Sequence, residues 1–313
     1  MNEKIITVMG ATGAQGGGLA RAILAHADDG FAVRAVTRKR DGAAAKSLAD
    51  AGAEIVEADL DDLRSLTRAF DGAHGAFCVT NFWEHMSPEK EIEQIRNLAD
   101  ATRASDVAHV VWSTLEDSRL RVPLEDERMP TLHGRYKVPH FDTKGSSDAF
   151  FDASRTTFLL TSFYWDNLIH FGMGPKPEAD GRLGFVLPMG DKKLPGIAAE
   201  DIGRCAYGIF LRGEATLGKR IGVSGEHLTG EAMARELGRA LEREVVYRPV
   251  PPAVYRSFGF PGADDLGNMF QYKADFETEF CAARDVAASR ALAPDMLDFA
   301  GWLRKHRSNI PLT

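Results

Sequence analysis

Apolar and polar positions in the first half of the chain fall into two alternating kinds of segment. KIITVMG, from Lys4, is a short β-branched apolar run, and LARAILAHA, Leu19–Ala27, repeats apolar residues at helical spacing. The alternation continues with strand FAVRAVTR (Phe31–Arg38), helix AAAKSLADA, strand AEIVEAD (Ala53–Asp59), helix DDLRSLTRAF (Asp61–Phe70) and strand HGAFCVTN (His74–Asn81). The amphipathic stretch Pro88–Ser105 opens on a proline, which the first helical turn tolerates. VAHVVWST (Val107–Thr114) reads as a fifth strand, Pro139–Ser154 as a helix, and TTFLLTSFYW (Thr156–Trp165) as a sixth strand.

This order predicts an α/β fold of the Rossmann type, a doubly wound parallel sheet with helices on both faces. Right-handed crossovers leave few topologies, and the order 3-2-1-4-5-6 is expected. After Trp165 the pattern changes. Phe171–Gly196 is rich in Gly and Pro with hairpin-like pieces, followed by helix Ala199–Leu211, strand KRIGVSG, a helix whose start is marked by Thr229, strand EVVYRPV and the helical PPAVYRSFGF. The reading is a dinucleotide-binding domain over 1–155 and a smaller α+β substrate-side domain over 156–313 that returns segments to the first sheet.

Composition narrows the class. The 313 residues carry a formal charge of −7 with no long basic run, which argues against a direct nucleic-acid partner. The cysteines, Cys78, Cys205 and Cys281, have no metal or CxxC spacing, so reduced thiols in a cytoplasmic protein are expected. The first residues enter a strand pattern with neither signal-peptide nor transit-peptide composition, and no apolar run approaches the ~20 residues of a membrane span. The scattered histidines, His133 and His140 among them, give no metal-ligand spacing.

VMGATGAQGGG, Val8–Gly18, holds five glycines in eleven residues. Its spacing is Gly10-x-x-Gly13-x-x-Gly16, after a strand and before a helix. Such a loop lets a pyrophosphate approach the backbone and face helix N-terminal N–H groups; alone, it could be a tight turn. The second strand ends in Thr37-Arg38-Lys39-Arg40, with no carboxylate for a ribose 2′-OH. Three cations favour a 2′-phosphate, hence NADP(H), over NAD(H); a solvated basic loop is the alternative. Asp59 could accept from an adenine amino group or cap the helix of DDLRSL.

VMGATGAQGG, VRAVTRKR, GAEIVEADLDD, FCVTNFWE, HFDTKG, FYWDN and FGFPGADDLGNMF together resemble the NmrA-like family of atypical short-chain dehydrogenases, most of all its HSCARG-type NADPH sensors. The resemblance runs through nearly the whole chain. It implies that Gly10, Thr12, Gly13, Ala14, Gln15 and Gly16 hold the pyrophosphate and that Arg38 meets the 2′-phosphate. Asp59 and Leu60 would flank the adenine. Thr80, Asn81 and Phe82 would line the ribose and nicotinamide side, Lys144 would bond the ribose, and Tyr164, Trp165, Asp166 and Asn167 would close over the nicotinamide. A homodimer in equilibrium with monomer is also implied.

Short-chain dehydrogenases carry Tyr-x-x-x-Lys on a helix, with a Ser ending the fifth strand. The Tyr passes a proton, and the Lys lowers its pKa and binds ribose. Here Ser113, Thr114 and Lys144 are present, but His140 stands at the Tyr position. His140 either supplies the proton near neutral pH or is a polar first-turn residue or cofactor contact. Tyr136 lies eight residues before Lys144, ahead of Pro139, and reaches the site only if its loop folds back. Two readings follow. One is a redox sensor whose NADP(H) occupancy alters its meeting with a protein partner. The other is an NADPH-dependent reductase of a quinone or small carbonyl acceptor.

Overall fold

Six strands build the frame: β1 Lys4–Val8, β2 Phe31–Thr37, β3 Glu54–Glu57, β4 Gly75–Cys78, β5 His109–Thr114 and β6 Thr156–Leu160. Between them run α1 Ala14–Leu24, α2 Ala43–Asp50, α3 Leu63–Phe70, α4 Pro88–Ala104 and α5 Pro139–Ser147. The structure is a computed structural model and describes residues 3–312. The remaining strands are β7 Phe163–Tyr164, β8 Lys176–Pro177, β9 Leu183–Leu187, β10 Lys193–Ile197, β11 Arg220–Gly222, β12 Glu226–Thr229 and β13 Val245–Pro249. The remaining helices are α6 Asn167–His170, α7 Ala199–Arg212, α8 Gly230–Leu241, α9 Pro252–Arg256, α10 Ala263–Asp275, α11 Glu277–Ala282, α12 Val286–Leu292 and α13 Phe299–His306.

The chain forms two compact units that interleave in sequence. The first takes the chain up to Asp117, then Thr143–Thr161 and Ala199–Ile221; the second takes Ser118–Asp142, Ser162–Ala198 and the chain from Gly222. No single residue near 155 separates them, and the division between Asp142 and Thr143 falls inside α5.

In the first unit the sheet order is β3-β2-β1-β4-β5-β6 with β11 beside β6. The first six strands pair in parallel, with Val8 opposite both Ala35 and Phe77. This is the expected doubly wound order. Ile6, Val8, Phe77, Val111 and Leu159 are wholly buried, as strands covered on both faces require. On one face α3 and α4 bring Leu66, Phe70, Ile95 and Leu98 onto Met9, Cys78 and Trp112. α3 starts where Asp62 accepts from the backbone N–H groups of Arg64 and Ser65. α4 starts where Ser87 accepts from Lys90 N ahead of Pro88.

On the other face α1 packs against α7, and glycines set the spacing. A Cβ on Gly18 would lie 2.3 Å from Glu200 O, and one on Gly203 would lie 2.1 Å from Leu19 N and 2.5 Å from Gln15 O. α1 therefore begins at Ala14, inside the glycine run and ahead of the expected Leu19. The three successive glycines cost helix propensity, and the backbone-to-backbone seam is what they permit.

In the second unit β10 pairs parallel to β7 and antiparallel to β12, while β9 pairs parallel to β13 and antiparallel to β8. The β8–β9 pair is the hairpin read from the Gly/Pro-rich stretch. Thr229 caps α8 by accepting from Ala232 N, and Gly230, Met233, Ala234 and Leu237 form its buried stripe. Two expected elements come out differently. The run Thr156–Trp165 divides after Leu160, and β7 joins another sheet. The helix from Pro139 stops at Ser147, one residue before Asp148, whose carboxylate accepts from Trp112 Nε1 (2.9 Å) and Thr114 Oγ1 (2.6 Å).

Candidate functional site

The loops after β1, β2, β3 and β4 leave the same edge of a parallel sheet, and these four strands are neighbours in the order β3-β2-β1-β4. Gly10–Gly16, Arg38, Asp59–Leu60 and Thr80–Phe82 all follow the carboxyl ends of those strands. A doubly wound sheet places its ligand there.

The glycine loop is built by backbone demands. Gly10 has φ of +61°, which side-chain-bearing residues rarely adopt, and its carbonyl accepts from Gly13 N at 2.8 Å. A Cβ on Gly16 would lie 2.5 Å from the carbonyl oxygens of both Gly10 and Met9, so α1 sits directly on the turn. Thr12, Gly13 and Ala14 are exposed, and Gln15 is half-buried with Oε1 accepting from Ser113 Oγ at 2.8 Å. The first amides of α1 lack intrahelical acceptors and carry the positive end of the helix dipole. A cradle with backbone N–H groups and no side chains in the way fits a pyrophosphate.

Arg38 is exposed directly after β2, and its guanidinium pairs with Glu84 in the turn after β4. That bond, with further help from Asp59 and Asp61, raises the Arg38 pKa above its ordinary value. Asp59 is exposed, and its Oδ1 accepts from Asp61 N at 2.9 Å. Asp62, not Asp59, caps α3. Leu60 is half-buried against the core below α4, its carbonyl bonded to Asn97 Nδ2 at 2.8 Å. Asn81 is exposed, while Phe82 is buried edge-on to Trp83.

Lys144 and Thr80 meet over a carboxylate that the sequence reading did not single out. Lys144 Nζ donates to Thr80 Oγ1 at 2.5 Å and lies 3.0 Å from Glu91 Oε1; Thr80 Oγ1 in turn donates to that oxygen at 2.5 Å. Glu91 is wholly buried on α4. Its Oε2 lies 3.2 Å from His85 Nε2. His85 Nδ1 accepts from Ser87 N at 3.1 Å, which leaves the ring proton on Nε2, towards Glu91. Burial pushes the Glu91 carboxyl up, but Lys144, His85 and Thr80 outweigh it and hold the pKa at about 2. The signal in the sequence was positional: Glu91 occupies the apolar stripe of α4 with Pro88, Ile95 and Leu98.

His140 opens α5 after Pro139 in the second unit. Its Nδ1 is 2.5 Å from Asp265 Oδ1, and its backbone N–H donates to Asp265 Oδ2 at 3.2 Å. Asp265 is buried in the first turn of α10, within the FPGADDLGNMF segment. One turn on, Asn268 donates to the carbonyls of Pro130 and Lys137 and holds the loop ahead of α5. The buried Asp142 accepts from Ser118 N and Oγ and from Lys137 N and Val138 N, anchoring the same loop. Tyr136 is buried in that loop, its ring beneath the guanidinium groups of Arg119 and Arg135.

Tyr164, Trp165, Asp166 and Asn167 also belong to the second unit. Trp165 is buried with its ring 5.3 Å from Phe299 and 6.5 Å from Trp302, while the other three are half-buried. Burial pushes the Cys78 and Cys205 thiols far up, so both are inert packing groups. Among the described residues no cluster of His, Cys, Asp or Glu is placed to hold a metal, and no helix is long and apolar enough to cross a membrane.

Comparison with known proteins bears on this arrangement. An NmrA-like family domain-containing oxidoreductase, FrzB, from Cladobotryum sp. is 30% identical over 288 residues, which cover 86% of this chain and 83% of FrzB. The solved structure of NmrA, a negative transcriptional regulator, in complex with NADP superposes with a TM-score of 0.76 at 23% identity, covering 97% of this chain and 95% of that one. NmrA in complex with NAD gives the same TM-score, identity and coverage. Residues 2–303 match the NmrA-like family, and the chain belongs to it.

Proposed function

We propose that this protein binds NADP(H) at the strand ends of its first unit and reads the cofactor's occupancy as a redox sensor. The carrying observation is the cradle of Gly10, Gly13 and Gly16 at the start of α1, with Arg38 directly after the neighbouring strand β2. In this reading the loop amides take the pyrophosphate and Arg38 takes the 2′-phosphate. Asp59 and Leu60 flank the adenine, and Thr80, Asn81, Phe82 and Lys144 take the ribose and nicotinamide side. Bound, the nicotinamide would supply a hydride. The proton donor of short-chain dehydrogenases is missing, because the position four before Lys144 is His140. That gap favours a sensor, whose output passes through a protein partner or self-association.

A second reading, an NADPH-dependent reductase of a quinone or small carbonyl, draws on two observations. The relatives matched by sequence are named oxidoreductases. His140 also carries a carboxylate on Nδ1, the arrangement that fixes a tautomer in acid–base histidines. The test combines equilibrium titration with NADPH and anaerobic loss of NADPH absorbance against quinones and carbonyls, for wild type, His140→Phe and Lys144→Ala. Saturable binding without acceptor-dependent oxidation supports the sensor. Oxidation that collapses in both variants overturns it in favour of the reductase.

A further inference from the structure

Arg38 already holds an anion. Its Nη1 donates to Glu84 Oε1, and its Nη2 lies 3.2 Å from Glu84 Oε2. This two-pronged contact is the geometry with which arginine also grips phosphate. The partners come from the loops after β2 and β4, which flank β1, so the ion pair spans the strand end from which the glycine loop departs. Asp59 and Asp61, in the loop after β3, add negative charge that raises the pKa of the same guanidinium. The neighbouring Lys39 and Arg40 are exposed and make no side-chain bond among the described residues. The cation that the NADP(H) reading gives to the 2′-phosphate is thus the one that is occupied.

We infer that Glu84 is a built-in competitor for the 2′-phosphate and thereby sets the protein's discrimination between NADP(H) and NAD(H). The inference rests on the NADP(H) reading above. NAD(H), with a bare 2′-OH, leaves the Arg38–Glu84 pair intact. NADP(H) competes with Glu84 for the Nη donors of Arg38, and the neighbouring carboxylate repels its phosphate from close range. The pair therefore narrows the gap in affinity between the two dinucleotides.

The experiment is fluorescence titration of the full chain with NADPH and with NADH, for wild type, Glu84→Gln, Arg38→Gln and the double variant. Glu84→Ser serves as a second variant without the amide oxygen that could still hold Arg38. Both side chains are largely exposed, so the fold is not at stake. Loss of an exposed ion pair and of one nearby negative charge is expected to tighten NADPH by about three- to tenfold and leave NADH within about twofold. The gain disappears when Arg38 is absent, as a double-mutant cycle requires for a direct pair. An unchanged NADPH-to-NADH ratio in both Glu84 variants overturns the inference. So does weakened NADPH binding, which would make Glu84 a support that orients Arg38. If wild type binds neither dinucleotide, the underlying reading fails, a result distinct from normal binding with an unaltered ratio.

Discussion

Replacing Glu91 by glutamine tests the buried network beneath Lys144. Lys144, His85 and Thr80 together lower the Glu91 pKa from an ordinary 4.5 to about 2. Each pKa unit is about 1.4 kcal/mol of differential stabilisation, so the charge on Glu91 contributes roughly 3 kcal/mol to folding at neutral pH. Because the carboxylate is wholly buried, solvent screening takes little from that figure. The sign follows from the lowered folded-state value. The contribution is complete above about pH 4.5 and is lost as pH falls towards about 2. Glu91→Gln should therefore lose roughly 3 kcal/mol at pH 7, on the order of 6–12 °C in melting temperature for a unit of this size. Urea melts at pH 7, 5, 4 and 3 should show a constant gap from wild type down to about pH 4.5, shrinking by more than half near pH 3. Lys144→Met should be costlier on its own, because it strands a buried carboxylate, and the double variant should recover part of that loss. A gap below about 1 kcal/mol at pH 7, or one that does not narrow in acid, would refute the assignment of the pKa to this network.

Two further outcomes follow from the first unit. Burial, with a smaller contribution from the charge of His74, lowers the His109 pKa to about 4, and its Nε2 sits 2.9 Å from Thr157 Oγ1. The unfolded chain takes up that proton from about pH 6.5 downward, so the folded state loses roughly 2–3 kcal/mol between about pH 6.5 and 4. His109→Gln should flatten that part of the stability profile in urea melts; an unaltered slope would count against a neutral buried imidazole. Gly203→Ala should destabilise the unit by about 1–3 kcal/mol or more, since its new Cβ would meet the backbone of Leu19 and Gln15. A melting midpoint equal to wild type would mean that α1 and α7 are not locked at this spacing.

The strand order was legible because apolar β-branched runs alternate with amphipathic segments, and right-handed crossovers then leave little choice. Pro88 and Thr229 marked helix starts because capping chemistry is local. The boundary between β6 and β7 was not legible. TTFLLTSFYW is one continuous apolar run, and its division depends on which sheet each half can join. The candidate site divides in the same way. Gly10–Gly16, Arg38 and Asp59 could be named from their places at strand ends, whereas Thr80–Phe82 came only from the family resemblance. Glu84, Glu91 and Asp265 act through partners 46, 53 and 125 positions away in the chain, and no local pattern announces such pairings.

The seam between α1 and α7 also bears on how the chain is made. α7 lies beyond residue 198 in sequence, yet it covers the helix that starts at Ala14. A nascent chain must release roughly two-thirds of its length before the flat glycine face of α1 gains its cover, so the first unit cannot finish folding as the leading segment of a growing polypeptide. Until then the side of α1 that meets α7, at Gln15 and Gly18, stays open to water or to neighbouring chains. A fragment ending near residue 155 would remain in that condition permanently. It should be prone to aggregate, because the first unit is complete only once α7 has been made.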